Sequence, residues 1–195
     1  MPMLFDRLKH YNIILASKSP RRQYLLKELG LDFKLQTKDT EEGFSNTLKA
    51  QDIPLYLCEK KAKAFELDLN DGDLLITADT IVWVEGQVLN KPEDHNDAVR
   101  MLKLLSGKKH QVYTGVCLTS KQKTKSFFAV TDVYFKNLSD DEIEYYIKNY
   151  NPYDKAGAYG AQEFIGYIAI EKIEGSFFNV MGLPIRELYD ELLKF

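Results

Sequence analysis

The chain has 195 residues, 45% hydrophobic and 28% charged, with a formal net charge of −3. That is enough apolar material for a substantial core and too even a charge balance for a global field that would hold nucleic acid. No apolar run reaches the ~20 residues of a membrane-spanning helix, and the start, MPMLFDRLKHYN, has neither an apolar signal core nor a small-residue cleavage site. Two cysteines, Cys58 and Cys117, make no disulfide framework and sit in apolar surroundings that suit core packing. The expectation is a soluble cytoplasmic protein forming one domain over residues 1–195.

YNIILAS (11–17) reads as a buried strand, followed at once by a helix that Ser19 can cap, Pro20 can begin and Gly30 can end. FKLQTK (33–38) gives a second strand, and KDTEEGFSNTL is a polar, acidic loop. Leu57, Lys61, Ala64 and Phe65 at helical spacings predict a helix over 54–67. NDGD (70–73) turns into LLITADTIVWV (74–84), a strongly strand-like run, and EGQ makes a hairpin to Val88 and Leu89. Ala98, Met101, Leu102 and Leu105 set the inner face of a helix over 93–105, ended by Gly107. QVYTGVCLTS and SFFAVTDVYF are strand-rich, and Ser139 with Glu142 forms a capping box that opens DDEIEYYIKNY. The small-residue loop AGAYGAQ (156–162) precedes GYIAIEKIEG, read as a strand or tight hairpin. PIRELYDELLK closes the chain as a helix with Pro184 at its start. Helices and strands alternate in the first half and strands cluster in the middle, which predicts a mixed α/β sheet with helices on its faces.

Arg21 and Arg22 stand in the first turn of the first helix, where unpaired N–H groups already carry positive charge and cations are disfavoured. A helix start directly after a strand is a common anion site, Ser17 and Ser19 add hydroxyl donors, and arginine forks match phosphate oxygens. The alternative is that both arginines point into water. Asp79 interrupts a long apolar strand and is followed by Thr80. A carboxylate there is costly unless paired or placed at a cleft. It suits a general base or a metal ligand, and otherwise a solvent-facing charge on an edge strand. Lys91, fixed before Pro92, and Lys61, near the inward stripe of its helix, are useful against phosphate. The plainer readings are a surface lysine and a snorkelling stem. Gln162 ends the small-residue loop and offers a donor and an acceptor to a base edge; a flexible surface loop is the alternative. SGKKH is not a G-x-x-x-x-G-K-[ST] phosphate loop, the three histidines show no zinc spacing, and His110 suits a structural hydrogen bond.

In order along the chain, ILASKSPRRQYLLKELG, EKKA, ITADTIV, LNKP, GKKHQVYTGV, AGAYGAQ and GSFFNVMGLP resemble the Maf family of nucleoside triphosphate pyrophosphatases. The resemblance runs nearly end to end. It implies a Maf/ITPase-like α/β fold, with an elongated mixed sheet flanked by helices and two lobes around a deep cleft. It also implies hydrolysis of a nucleoside triphosphate to the monophosphate and pyrophosphate, assisted by a divalent cation (Mg2+ or Mn2+), in removing unwanted nucleotides. Arg22, Thr80 and Gln162 match the branch that prefers dTTP and UTP. Asn90 departs from the usual Gly of GKP, and Ala161 and Glu163 flank Gln162 where a larger aliphatic residue and Gly are more usual.

On this resemblance the triphosphate is expected on Ser17, Ser19, Arg21, Arg22, Lys61 and Lys91. Asp79 is the expected base, Glu42 and Asp79 the carboxylates near the metal, and Thr80 and Gln162 the selectors of the base. The partner is a small-molecule nucleotide, with no nucleic acid and no membrane, and a homodimer is left open. A pyrophosphatase for another modified nucleotide, or a non-catalytic nucleotide-binding regulator of septum formation, are the alternatives.

Overall fold

β1 (Asn12–Leu15) buries Ile13, Ile14 and Leu15, as a parallel strand covered on both faces must. In the computed structural model, which describes residues 4–195, β1 pairs in parallel with β2 (Lys34–Leu35) on one side and β3 (Asp73–Val84) on the other. The crossovers are α2 (Pro20–Glu28), from β1 to β2, and α3 (Asp52–Lys63), from β2 to β3. α2 therefore leads to the strand on one side of β1, and α3 leads back to the strand on its other side. In open α/β sheets the carboxyl end of such a strand is where ligands bind.

The remaining strands are β4 (Gln87–Leu89), β5 (Lys109–Thr119), β6 (Thr124–Phe135) and β7 (Ile170–Glu174). Together they form a seven-stranded mixed sheet in the order β2-β1-β3-β5-β6-β7, with β4 paired to β3. β4 closes an antiparallel hairpin through Glu85 and Gly86, both with left-handed φ (50° and 79°), the two-residue turn that matches strand twist. α4 (His95–Leu105) buries Ala98, Met101, Leu102 and Leu105, the stripe the spacing predicts. α5 (Asp140–Tyr150) opens on the predicted capping box: Glu142 N–H donates to Ser139 Oγ at 3.2 Å, and Ser139 N–H to Glu142 Oε2 at 2.8 Å. α8 (Ile185–Leu192) follows Pro184.

Five elements depart from expectation. β2 is two residues long, not six, because the backbone of β1 leaves the sheet at Ala16; Gln36 N–H still reaches Leu15 O at 3.3 Å, and nothing further along β1 pairs with it. α3 ends at Lys63, not 67, while Phe65 and Leu69 stay buried, so the apolar spacing outlasts the helix. GYIA is helical, within α6 (Phe164–Ala169), and only IEKIE is strand. Ile165 and Ala169 are buried one turn apart, and a Cβ on Gly166 would sit 2.7 Å from Ala161 Cα, a close approach that only glycine permits. Two short helices, α1 (Leu4–Leu8) and α7 (Phe177–Val180), were not read from the sequence.

The chain divides into two compact units, with the dividing points inside β3, β5 and β6. The first holds residues 1–79, 114–129 and 182–195; the second holds 80–113 and 130–181. In the first unit Ile14, Leu75, Ala62, Phe65 and Leu69 pack with both free cysteines, Cys58 and Cys117. Burial pushes both thiols up, which makes them inert packing groups. α3 lies close on β5, because a Cβ on Gly115 would come within 2.5 Å of the Pro54 backbone. Among the described residues no helix is long and apolar enough to cross a membrane.

His110 opens β5 in the core of the second unit. Its Nε2 shares a 2.8 Å hydrogen bond with Tyr159 Oη, and its ring stands edge-on to Phe135 at 4.8 Å. Burial pushes its pKa from 6.5 down to about 3. The unfolded chain thus takes up a proton near pH 6.5 that the native state refuses until about pH 3. The stability this residue supplies as a neutral ring is present above pH 6.5 and lost as pH falls toward 3. Urea unfolding of wild type should show this loss at about 1.4 kcal/mol per pH unit beyond that of His110→Gln. Parallel pH dependence in the two proteins would remove His110 from acid lability.

Candidate active site

At the carboxyl end of β1, Ala16 N–H makes the last bond of β1 to β3, 2.9 Å to Ile76 O, and β3 runs on past β1 to Asp79. The chain from β1 turns off through Ser17, whose buried Oγ accepts Ser19 N–H at 3.2 Å. Ser19 takes the N-cap position of α2, but its side chain makes no capping bond; the Ser17 hydroxyl shapes the entry instead. Gly30, with φ of 81°, ends the helix as its sequence position suggests.

Arg22 does not point into water. Its Nε donates to Gly182 O at 2.8 Å and its Nη1 reaches Ser17 Oγ at 3.5 Å. Burial lowers its pKa; Asp79 and Glu42 oppose the shift, and Arg21 adds to it. Arg22 therefore sits within electrostatic reach of both carboxylates and of a second guanidinium. Arg21 is half-buried beside it.

Asp79 is buried near the end of this unit's share of β3 and is paired. Lys61, from the last turn of α3, donates to Asp79 Oδ1 and, at 3.1 Å, to Glu42 Oε1. The side chains of Lys61 and Asp79 are 18% and 12% exposed, and that of Glu42 52%. Lys61 is thus turned toward the carboxylates rather than snorkelling. The Asp79 contact carries most of the energy, because the Glu42 contact is open to screening. The trio has a net charge of −1, so the lysine neutralises only half of the acid.

These residues can accommodate a divalent cation. Two carboxylates already converge on one cationic centre, and Mg2+ commonly takes one or two carboxylates and completes its shell with substrate phosphates and water. Among the described residues no group of three or more His, Cys, Asp or Glu is placed to hold a metal unaided.

The other expected residues lie in the second unit. Thr80 continues β3 and is half-buried, and strand alternation sends it to the opposite face from Asp79. Lys91 is exposed in the segment between β4 and α4. The preceding Asn90 O accepts Gly157 N–H at 3.0 Å, which ties this segment to the small-residue loop. Gly157 has φ of 69°, and a Cβ there would fall 2.9 Å from Val82 Cγ2, so the loop rests its backbone on β3. Gln162 Oε1 is buried and, among the described residues, has no hydrogen-bond partner, while its backbone O accepts Tyr167 Oη at 2.6 Å. The first unit therefore gathers Ser17, Ser19, Arg21, Arg22, Glu42, Lys61 and Asp79; the second carries Thr80, Lys91 and Gln162. Sequence reasoning missed Gly182: its part is a backbone carbonyl, which no side-chain pattern announces.

A family model described as "Maf-like protein" matches residues 12–195. A dTTP/UTP pyrophosphatase of Bacteroides thetaiotaomicron is 53% identical over 98% of this chain and 100% of its own. Proteins of the same description from Porphyromonas gingivalis and Flavobacterium johnsoniae are each 50% identical, over 98% and 97% of this chain and 98% of their own. Among solved structures, a nucleoside-triphosphatase / dITP/XTP pyrophosphatase of Mycobacterium abscessus overlaps 65% of this chain and 75% of its own, at a TM-score of 0.40 and 13% identity, too weak a likeness to argue from. The family match spans nearly the whole chain and includes every residue of the cationic site, and on that basis the chain belongs to the Maf-like protein family.

Proposed function

We propose that the protein is a nucleoside triphosphate pyrophosphatase that hydrolyses dTTP and UTP to the monophosphate and pyrophosphate, clearing nucleotides from the cytoplasmic pool. The observation that carries this reading is the single lysine joining Glu42 and Asp79 within electrostatic reach of Arg22, at the carboxyl end of a parallel strand. The near full-length likeness to dTTP/UTP pyrophosphatases supports the choice of nucleotide.

In this reading Ser17, Ser19, the α2 terminus, Arg21, Arg22, Lys61 and Lys91 bind the triphosphate. Positive charge that the empty helix start disfavours is then balanced by ligand. Water attacks the α-phosphorus, the bond to the bridging oxygen breaks, and pyrophosphate leaves with the electron pair. Lys61 holds Asp79 Oδ1, and the second oxygen, Oδ2, accepts the proton of the attacking water. The arginines and Lys61 meet the charge that builds on the leaving pyrophosphate. Glu42 and Asp79 are the residues that would hold Mg2+ or Mn2+. Such a cation, when bound, screens the triphosphate and polarises its phosphoryl oxygens.

Gln162 reads the base, with Thr80, on the opposite face of β3 from Asp79, contributing to that choice and not to the phosphate chemistry. Uracil and thymine present a ring N–H between two carbonyls, and the buried Gln162 Oε1 is an acceptor suited to that N–H. Cytosine places an acceptor there.

Asp79→Asn keeps size and hydrogen-bonding capacity but removes the base. Turnover should fall by at least ~10²-fold with the melting temperature little changed. Near-normal turnover would move the base role to Glu42. For selectivity, kcat/KM for UTP and dTTP should exceed that for CTP by roughly one to two decades, the cost of a buried mismatch. Gln162→Ala should narrow the gap by slowing UTP and dTTP. Equal wild-type values for UTP and CTP would sink the claim.

A further inference from the structure

The small-residue loop of the second unit is braced from beneath. Glu163 N–H donates to Gly160 O at 3.0 Å, and the Glu163 side chain folds back so closely that a Cβ on Gly160 would lie 2.8 Å from its Cδ. Glu163 Oε1 pairs with Lys155 Nζ at 3.2 Å, and Oε2 accepts Tyr146 Oη at 2.5 Å. The same Tyr146 oxygen accepts Gly160 N–H at 3.0 Å. Tyr146 is fully buried, and the side chains of Lys155 and Glu163 are 8% and 19% exposed, so this network is shielded from solvent screening. A second hydroxyl acts from outside: Tyr167, 75% exposed, donates to Gln162 O at 2.6 Å.

Backbone at 160, 162 and 163 is thus held by named bonds, while between them the Gln162 amide oxygen stays buried and without a partner among the described residues. A fold selecting for stability alone gains nothing from fixing an acceptor in that state. A site that needs an acceptor ready for a ligand donor gains affinity, because the ordering cost is met before binding. We propose that Glu163 and Tyr146, anchored by Lys155, together with Tyr167, are positioning residues that hold the Gln162 amide for the base of the substrate. This rests on the reading of Gln162 as the residue that meets the uracil or thymine N–H.

The test is steady-state kinetics with UTP and CTP on the full chain, comparing wild type, Gln162→Ala, Tyr146→Phe, Glu163→Gln and Tyr167→Phe, with thermal unfolding of each. Loss of one bracing hydroxyl should raise KM for UTP about tenfold and shrink the UTP-over-CTP ratio of kcat/KM to match. kcat for UTP should stay within about threefold, since the bond acts in binding rather than in the chemical step. Glu163→Gln, which keeps an acceptor for Tyr146, should fall between wild type and Tyr146→Phe. Tyr167→Phe removes one oxygen from an exposed ring, so it decides the matter if Tyr146→Phe fails to fold. A lowered melting temperature with unchanged KM and ratio in the tyrosine variants would overturn the bracing, including where Gln162→Ala has abolished selectivity. A wild type indifferent to UTP and CTP, or a ratio unmoved by Gln162→Ala, would defeat the Gln162 reading and this proposal with it.

Discussion

A carboxylate inside a buried strand, just past the end of its parallel pairing with β1, has to be compensated, and in this chain Lys61 compensates it. Asp79 would otherwise be an ion in a largely apolar setting, which a fold does not tolerate. The pairing fixes the last turn of α3 against β3 and draws in Glu42 from the acidic loop. Magnitudes show which side of the pair can be altered cleanly. Removing the lysine leaves a buried charge unpaired, a loss of about 3–5 kcal/mol for a fully buried pair. Replacing Asp79 with asparagine removes the charge itself and leaves a polar group that Lys61 can still meet.

The same end of the sheet concentrates positive charge. α2 begins just after β1 stops, Ser19 N–H at its N-cap donates to Ser17 Oγ, and Arg22 is folded back onto Gly182 O and Ser17 Oγ instead of into solvent. Cations at a helix start destabilise it; Asp79 and Glu42 offset part of that repulsion, and an anionic ligand would offset more. The second unit solves a different problem. Its small-residue loop packs backbone closely against β3, and small residues alone give closeness without order. Tyr146 and Tyr167 supply the order.

What was legible in the sequence was local or electrostatic. The Ser139–Glu142 capping box, the Glu85–Gly86 turn and the α4 stripe depend on residues within one or two turns of each other, and all three formed as read. Asp79 and Lys61 stood out because each broke an apolar pattern, and the fold joins them. The misses are tertiary. GYIA reads as alternating, but Gly166 is pressed against the Ala161 backbone, and that contact favours helix. The Arg22 bond to Gly182 spans 160 positions and ends on a backbone carbonyl. The part Glu163 plays is not legible, because nothing in AGAYGAQE signals that a tyrosine on α5 reaches under it. Strand propensity over 33–38 outruns the two-residue β2, because it carries no information on where the neighbouring strand departs.

We propose that the cations crowded at the start of α2 and the end of α3 bind a polyphosphate. Thermal unfolding with and without millimolar pyrophosphate, in wild type and in Arg22→Gln, tests it most directly, Mg2+ being present throughout. A ligand at a hundredfold excess over its dissociation constant stabilises by about 2.7 kcal/mol. The wild-type melting temperature should therefore rise by several degrees, and the rise should be much smaller in Arg22→Gln. An unchanged wild-type melting temperature, or an equal rise in both proteins, would contradict the account.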